Sequence, residues 1–253
     1  MRVFLTGASS GIGEALARHY AAQGATLGLF ARRADALARL AGSLAPATVA
    51  TWAGDVRDAG ALARAGAEFV ARFGTPDIVI ANAGVSRGAL TEEPADLDVI
   101  RAVVETNVLG IVHTFAPFVA AMRAARKGTL VGIASIAGFR GLPGSGAYSA
   151  SKAAAIAYLE SLRVELHGSG VAVVTVCPGF VATPMTARNP YPMPFLMAPD
   201  RAARLIARAI ARRRRFYVLP WPMAWLGRVL RVAPRFLYDR ALSGRKRKPR
   251  AEG

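Results

Sequence analysis

Two side chains four residues apart, Tyr148 and Lys152, form the pair in this sequence that is best suited to moving a proton. The alanine-rich segment around them predicts a helix, and positions i and i+4 of a helix lie on one face. A phenol has a pKa near ~10 in water, so alone it is a poor acid or base at neutral pH. An ammonium at ~4 Å stabilises the phenolate by roughly 4 kcal/mol at an effective dielectric constant of ~20, or about three pK units. The spacing therefore predicts an acid–base tyrosine whose pKa a neighbouring lysine lowers toward neutrality. The alternative is a surface pair on an amphipathic helix.

A glycine-rich turn after the first predicted strand is the second feature with chemical meaning. It occupies residues 6–13 and reads TGASSGIG. Gly7, Gly11 and Gly13 allow a tight turn, close approach of the backbone to a pyrophosphate, and close packing of the next helix. The N-terminus of that helix faces the bound anion in such sites. Because the turn follows a strand and opens a helix, it predicts a dinucleotide-binding site rather than a purely structural turn.

Short apolar runs alternate with helical segments along most of the chain, which predicts an α/β fold. The strands are predicted at 3–6, 26–31, 48–53, 77–81, 128–135 and 171–176. The helices are predicted at 12–23, 34–44, 59–73, 97–126 and 148–167. The architecture expected is a single-domain, Rossmann-type doubly wound parallel sheet, and ligands bind such sheets at the carboxyl ends of the strands.

The bulk composition fits one globular domain. The chain has 253 residues, of which 53% are hydrophobic and 19% are charged. Cys177 is the only cysteine, so no intramolecular disulfide is possible, and its place at a strand end predicts a core residue. The first strand starts next to Met1 and no signal peptide is recognisable, so we expect a cytoplasmic protein. The three histidines are widely separated, so the sequence predicts no metal site. The sequence also lacks the G-x-S-x-G motif of the α/β-hydrolases, so it does not support a hydrolase.

Taken together, these motifs resemble those of the short-chain dehydrogenase/reductase family. The resemblance covers about residues 2–185, and its landmarks follow the order and spacing of the family. They are residues 6–13, Asp55 and Val56, Asn82-Ala83-Gly84, Asn107, Ser135, Tyr148, Lys152 and residues 178–183.

The resemblance implies a catalytic group of four residues, Asn107, Ser135, Tyr148 and Lys152. In the family, hydride moves between C4 of a nicotinamide and a carbonyl or carbinol carbon, and the tyrosine exchanges the proton of the oxygen. Lys152 would lower the pKa of Tyr148 and hold the nicotinamide ribose. Ser135 would hydrogen-bond the substrate oxygen, and Asn107 would hold a water that relays protons to Lys152. The structural alternatives are a strand-end cap for Ser135 and a backbone-bonded helix amide for Asn107.

The resemblance also implies an extended cofactor site. Asp55 would contact the adenine amino group with Val56 beside it, Asn82 would steady the central sheet, and Thr183 with Val181 would bind the carboxamide. The full set of cofactor-binding residues expected is Gly7, Ser9, Ser10, Gly11, Ile12, Gly13, Arg32, Arg33, Asp55, Val56, Asn82, Ala83, Gly84, Tyr148, Lys152, Pro178, Gly179, Val181 and Thr183.

The end of the second predicted strand favours NADP(H) as the cofactor. NAD-preferring sites place a carboxylate there to bind the ribose hydroxyls. Here the strand ends with Phe30-Ala31 and is followed by Arg32 and Arg33. A guanidinium binds a phosphate through two hydrogen bonds, so either arginine suits the 2′-phosphate of NADP. The alternative is a pair of solvent-facing arginines at a helix start.

The segment after the last landmark predicts an apolar substrate. It contains Met185, Tyr191, Met193, Phe195, Leu196 and Met197. Such side chains suit an apolar or lipid-like ketone, aldehyde or acyl-chain carbonyl. The predicted function is an NADP(H)-dependent oxidoreductase acting on a carbonyl or secondary alcohol. The alternative is a non-catalytic protein that senses NADPH at a membrane or partner surface.

The C-terminal part of the chain is strongly basic. Residues 201–253 hold 16 of the 33 basic residues and 2 of the 16 acidic ones, a net charge of +14 out of +17. We predict a domain at 1–219 with an edge strand at 216–219, followed by a basic amphipathic helical extension and tail at 220–253. Within it, residues 222–232 place Trp225, Leu226, Val229, Leu230 and Val232 on one face. Residues 245–250 are expected to be a solvated tail.

Three interpretations of this extension stay open: it binds an anionic membrane surface through residues 212–250, it binds nucleic acid, or it packs on the domain or a second subunit. No recognised nucleic-acid-binding motif is present, which argues against a specific nucleic-acid partner. The family resemblance implies a homodimer or homotetramer that assembles through the helices at 97–126 and 148–167.

Overall fold

A seven-stranded, fully parallel sheet forms the centre of the molecule, with the strand order β3-β2-β1-β4-β5-β6-β7. The structure is a computed structural model that describes residues 1–187, 189–244 and 248–250. The strands are β1 (Arg2–Thr6), β2 (Thr26–Ala31), β3 (Val49–Ala53), β4 (Ile78–Ala81), β5 (Gly128–Ile133), β6 (Val171–Pro178) and β7 (Phe216–Leu219). The strand order reverses between β1 and β4, so the carboxyl ends of these two strands border a crevice suited to ligand binding.

Helices cover both faces of the sheet. They are α1 (Gly11–Ala21), α2 (Ala34–Ser43), α3 (Ala59–Phe73), α4 (Leu97–Val104), α5 (Gly110–Ala124), α6 (Gly146–Glu165), α7 (Pro199–Ala211), α8 (Trp221–Val232) and α9 (Arg235–Leu242). Because successive strand residues point to opposite faces, Val3 and Leu5 pack with α1, α2 and α7, whereas Phe4 packs with α3, α5 and α6. The predicted doubly wound sheet is therefore confirmed.

The helix predicted at 97–126 is interrupted. A π-helical turn at Glu105–Leu109 separates α4 from α5 and carries the buried Asn107. The whole helical run Pro94–Ala124 is long and apolar enough to cross a membrane by length and composition. Phe115, Phe118 and Met122 of this run are buried against the sheet. The run therefore packs on the domain core through α5.

The C-terminal extension packs on the domain through a face that the sequence did not predict. Met223 and Gly227 are buried, against Gly179 and Phe139 respectively. The predicted apolar face points outward instead, because Trp225, Val229 and Val232 of α8 are exposed. The short helix α9 was also not predicted.

The solvated tail predicted near the C-terminus is wrong for its described part. Residues 245–247 lie outside the described residues, but Lys248, Pro249 and Arg250 contact the domain near Ser86 and Gly88. The contact is ionic as well as steric, since Arg250 pairs with two carboxylates. Residues 248–250 thus lie near the carboxyl edge of the sheet, beside the loop that follows β4.

Candidate active site

A cavity of about 690 Å³ lies at the carboxyl ends of the strands. Gly13 and Asn107 are the only predicted site residues outside its lining. The predicted residues that line it are Gly7, Ser9, Ser10, Gly11, Ile12, Arg32, Arg33, Asp55, Val56, Asn82, Ala83, Gly84, Ser135, Tyr148, Lys152, Pro178, Gly179, Val181 and Thr183.

The glycine-rich turn leaves an open cradle at the start of α1. Gly7 and Gly11 have φ angles of 67° and 58°, which side-chain-bearing residues rarely adopt. Ser10 precedes α1, and its side chain makes no capping hydrogen bond, so it leaves the first helical N–H groups to another acceptor. Those groups and the helix dipole suit a pyrophosphate, and the cradle fits a dinucleotide on this ground. Gly13 has a packing role: a Cβ there would collide with the carbonyl of Gly7.

Asn82 fixes this cradle to the neighbouring strand. Its side-chain Nδ2 donates to the carbonyl oxygens of Thr6 and Gly7, both at 3.1 Å, and its backbone N–H donates to Thr6 Oγ1 at 3.3 Å. These bonds join the end of β4 to the end of β1, the structural contact expected for Asn82. The shape of the glycine turn therefore depends on an amide 75 residues away.

Two arginines stand beside the cradle at the end of β2. Arg33 Nη2 donates to the carbonyl oxygen of Ser9 at 3.0 Å and to its Oγ at 3.3 Å. Arg32 also lines the cavity and acts electrostatically on Asp55. This end of the cavity therefore offers guanidinium groups to a bound anion.

Asp55 forms an ion pair with Arg57. Its carboxylate accepts from Arg57 Nε and Nη2 at 3.0 and 2.9 Å and from the Arg57 backbone N–H at 3.0 Å. Burial disfavours the charged form, but the bonds to Arg57 outweigh it and lower the pKa of Asp55. An adenine amino group would therefore share an ionised carboxylate with Arg57.

Tyr148 and Lys152 lie together at the other end of the cavity, as their spacing predicts. Lys152 Nζ is 5.9 Å from the centre of the Tyr148 ring and donates to the carbonyl oxygen of Ile133 at 2.9 Å. The Ser135 side chain lies close enough to Tyr148 to act on the pKa of the phenol, which it lowers. Its Oγ also accepts from the Ala137 N–H at 3.1 Å, so Ser135 is both a strand-end cap and a neighbour of the phenol.

The electrostatics of this pair differ from the expectation. Burial raises the pKa of Tyr148, and the neighbouring Ser135 side chain only partly opposes the increase. Burial also lowers the pKa of Lys152 to about 8. The expected lowering of the phenol pKa is wrong here because spacing along a helix carries no information on desolvation. At neutral pH the site therefore holds a protonated phenol beside an ammonium.

Asn107 supports the site from behind its wall. Its Oδ1 accepts from the Val85 N–H at 2.8 Å, and its Nδ2 donates to the Val85 carbonyl oxygen and to Ser151 Oγ, both at 2.9 Å. The backbone-bonded amide considered from the sequence is therefore present. These bonds engage both ends of the amide, and the relay water expected at Asn107 stays a prediction.

The loop after β6 contributes residues that the sequence did not single out. Thr186 Oγ1 accepts from the Thr183 N–H at 3.0 Å and donates to the Val181 carbonyl oxygen at 2.6 Å. The signal was present as two threonines three residues apart, a spacing at which hydroxyls bond the local backbone. The other lining residues not predicted are Ala31, Gly54, Val85, Thr106, Ile133, Ala134, Pro184 and Met185, although Met185 was expected near the substrate.

Two residues of this region belong to the core. Met197 was expected to contact substrate, but it is 3% exposed, and its segment pairs with Val181. Cys177 is fully buried, as expected, and burial raises the pKa of its thiol to about 12. By contrast, Phe195 and Leu196 of the same segment are exposed, and their contact with a substrate stays a prediction.

Comparisons with known proteins agree with this arrangement. The family described as short chain dehydrogenase matches residues 1–192. An uncharacterized oxidoreductase of Myxococcus xanthus is 39% identical over 239 residues, covering 94% of each chain. A short chain dehydrogenase/reductase from Burkholderia phymatum, solved with NAD, is 27% identical with a TM-score of 0.83, over 99% of this chain and 98% of that one. An alcohol dehydrogenase from Thermococcus sibiricus, complexed with 5-hydroxy-NADP, is 29% identical with a TM-score of 0.76, over 86% and 94%.

The sequence match alone spans about three quarters of the chain, and the structural match to the Burkholderia phymatum protein spans nearly all of it. The chain belongs to the short-chain dehydrogenase/reductase family of oxidoreductases.

Proposed function

We propose that this oxidoreductase uses NADP(H) and reduces the carbonyl group of an apolar substrate. The observation that carries the proposal is the meeting of Ser135, Tyr148 and Lys152 at one end of a cavity whose other end presents arginines. A dinucleotide bound along this cavity would have its nicotinamide near the phenol and its adenosine ribose near Arg32 and Arg33.

NADPH, when bound, supplies hydride from its nicotinamide C4 to the carbonyl carbon. Ser135 and Tyr148 hydrogen-bond the carbonyl oxygen, and Tyr148 gives this oxygen its proton, so that ketone becomes alcohol and phenol becomes phenolate. The Lys152 ammonium stabilises the phenolate as it forms. Burial raises the pKa of Tyr148 and keeps the phenol protonated at neutral pH, so proton donation depends on the stabilisation that the Lys152 ammonium gives to the phenolate.

Asn107 and Asn82 act on this chemistry indirectly. Asn107 holds Val85 and Ser151 in place, and Asn82 holds the glycine turn. We propose that a water at the main-chain carbonyl of Asn107 returns a proton to the site through Lys152. Thr183, whose methyl group lies over Gly11, would close the cavity on the carboxamide.

The preference for NADP(H) rests on charge at the end of β2. Arg33 is held at Ser9, and neither side chain that follows β2 is a carboxylate that would repel a 2′-phosphate. The two solved relatives described above contain NAD and an NADP derivative, so the family accommodates both. The choice in this chain therefore depends on its own two arginines.

We predict that the purified protein oxidises NADPH in the presence of straight-chain ketones. The expected kcat/KM rises with chain length, about fourfold per methylene buried, and is at least about tenfold higher with NADPH than with NADH. Arg33→Gln lowers the NADPH preference, while Arg39→Gln, an exposed arginine paired with Asp35 on α2, leaves it unchanged. A flat chain-length series contradicts the apolar substrate, and a tenfold preference for NADH contradicts the cofactor assignment.

The exposed face of α8 and α9 suits an anionic lipid surface, and we propose that the protein is cytoplasmic and binds such a surface peripherally there. Trp221, Trp225 and Val232 are 74%, 62% and 80% exposed. Exposed arginines flank them, namely Arg228, Arg231, Arg235 and Arg240. Tryptophan with arginine is the composition of interfacial segments, and each cation near such a surface adds about 1 kcal/mol.

Assembly is proposed through a different surface. Leu97 and Val104 on α4, Leu109 in the π-helical turn and Val164 on α6 are exposed although they are large and apolar. They lie on the helices through which the family resemblance implies a dimer or tetramer. Covering them in a second copy of the chain would remove apolar area from water.

One pair of variants separates the two surfaces. Trp225→Glu with Val229→Glu is expected to reduce sedimentation with phosphatidylserine vesicles about tenfold or more without changing the mass measured by light scattering. Val164→Glu is expected to lower the mass and leave sedimentation unchanged. Vesicle binding that survives the α8 changes removes the lipid proposal, and a wild-type mass of one chain removes the assembly proposal.

A further inference from the structure

The last described residues of the chain lie against the loop that follows β4. Gly88 and Arg250 form a parallel β-bridge, and a Cβ on Gly88 would collide with the Pro249 carbonyl. The two segments therefore touch backbone to backbone, and only glycine fits at position 88. This contact joins residues 162 positions apart.

Arg250 anchors the tail by charge. Its Nε lies 3.0 Å from Asp96 Oδ2, and its Nη2 lies 3.0 Å from Glu93 Oε2. The Asp96 side chain is only 3% exposed and also accepts from the Leu90 N–H at 2.9 Å. Because a buried carboxylate needs a cation or donors to remain charged, Asp96 and Arg250 stabilise each other's position.

The anchored tail brings Lys248 to the catalytic phenol. Lys248 Nζ donates to Ser86 Oγ at 2.5 Å and is 5.9 Å from the centre of the Tyr148 ring. Lys152 Nζ is at the same distance from that ring. Lys152 lines the cofactor cavity, whereas Lys248 and Ser86 do not. Tyr148 is thus flanked by two ammonium groups, one on the cofactor side and one outside it.

Within the part of the chain that the structure describes, Lys248 has no ion-pair partner. Among the described residues, no carboxylate lies within 4.0 Å of its Nζ, and its hydrogen-bond acceptor is a neutral serine. Desolvation also lowers the pKa of Lys248. Burying an ammonium without a counter-ion is unfavourable. An anion that binds beside Lys248 would therefore be stabilised by a charged hydrogen bond.

We propose that Lys248 is a specificity-determining residue and that the substrate of the proposed reduction is an oxo acid, whose carboxylate binds the Lys248 ammonium and Ser86. The inference rests on the proposed carbonyl reduction and narrows its substrate class. A carbonyl oxygen about 2.8 Å from the Tyr148 hydroxyl places the carboxylate only a few bonds away.

The test compares 2-oxo and 4-oxo acids of medium chain length with their methyl esters, using NADPH and the full chain. Lys248→Gln is expected to lower kcat/KM for the acids about 10- to 100-fold, mainly through KM, because a charged hydrogen bond is lost. The esters lose only what the Lys248 charge contributes to the Tyr148 phenolate, a loss that the acids share. The acid-to-ester ratio of kcat/KM is therefore the readout, and it is expected to fall about 10- to 100-fold. Lys248→Arg should recover much of the selectivity for acids. Lys127→Gln, which removes a lysine paired with Asp77 at the amino ends of the strands, should change neither series.

Several outcomes overturn the proposal. If kcat/KM rises equally for acids and esters in Lys248→Gln and Arg250→Gln, residues 248–250 obstruct the site rather than select its substrate. If kcat/KM is the same in all variants, these residues have no part in substrate binding. A failure of this proposal can be separated from a failure of the proposed carbonyl reduction by calorimetry. The measurement is the affinity of the same acids for the protein–NADP complex. Acid binding that weakens in Lys248→Gln supports the site even if no carbonyl is reduced, whereas equal binding to both proteins overturns it.

Discussion

Replacing Tyr148 by phenylalanine is expected to lower carbonyl reduction about 10²- to 10⁴-fold, while NADPH still binds with nearly unchanged affinity. The phenol is the only group at this end of the cavity that combines an acidic proton with a neighbouring Ser135 side chain and a nearby ammonium, among the described residues. Removing a positioned general acid costs about 10²- to 10⁴-fold in kcat. The aromatic ring and its packing are kept, so the cavity should hold its shape. Single-turnover reduction and NADPH fluorescence titration measure the two effects.

Tyr158→Phe provides the matched control for this prediction. Tyr158 lies on the same helix, α6, and packs partly buried against the core that contains Phe115 and Leu159. Its loss of a hydroxyl should leave turnover within about twofold of the wild type. Retained turnover in Tyr148→Phe would remove the acid assignment. A wild type that binds NADPH but reduces nothing would instead favour the non-catalytic sensor considered from the sequence.

The sheet and the cavity lining were predictable because their signals are local. Apolar runs such as 26–31 can be buried on both faces only inside a parallel sheet, and the observed β2 has these bounds. The glycine turn was also predictable, because each glycine is needed where it stands. Gly7 and Gly11 adopt positive φ angles, and Gly13 has no room for a Cβ. Once these elements are placed, topology brings the ends of β1, β4 and β5 to one edge.

The parts that were not predictable depend on distant contacts. The π-helical turn at Glu105–Leu109 has no distinct composition, and its residue Asn107 is held by Val85 and Ser151. The tail docks because Arg250 meets Asp96, a residue 154 positions earlier. The pKa of Tyr148 depends on how deeply the fold buries it. Neither periodicity nor spacing contains such information, whereas packing determines it.

The proposed acid mechanism also fixes how activity depends on pH. Burial lowers the pKa of Lys152 to about 8, so its ammonium is present below that pH and is lost above it. The ammonium stabilises the phenolate that forms as Tyr148 donates its proton. We therefore expect kcat/KM for carbonyl reduction to fall as pH rises through about 8, and to show no corresponding loss between pH ~6 and ~7. The measurement is a pH–rate profile with a neutral ketone, so that ionisation of the substrate does not contribute.

Substitutions at Lys152 test whether this residue causes the expected fall in kcat/KM near pH 8. At about 6 Å from the ring and an effective dielectric constant of ~20, the charge is worth roughly 3 kcal/mol, so Lys152→Met should lower kcat/KM about 100-fold near neutral pH. The variant should also lose the fall near pH 8, because it has no group left to deprotonate there. Lys152→Arg keeps a cation throughout this range, and its profile should stay flat past pH 8 at a reduced rate. A fall near pH 8 that persists in Lys152→Met would place the titrating group elsewhere, and Lys248, the other ammonium near the Tyr148 ring, would then be the next group to test.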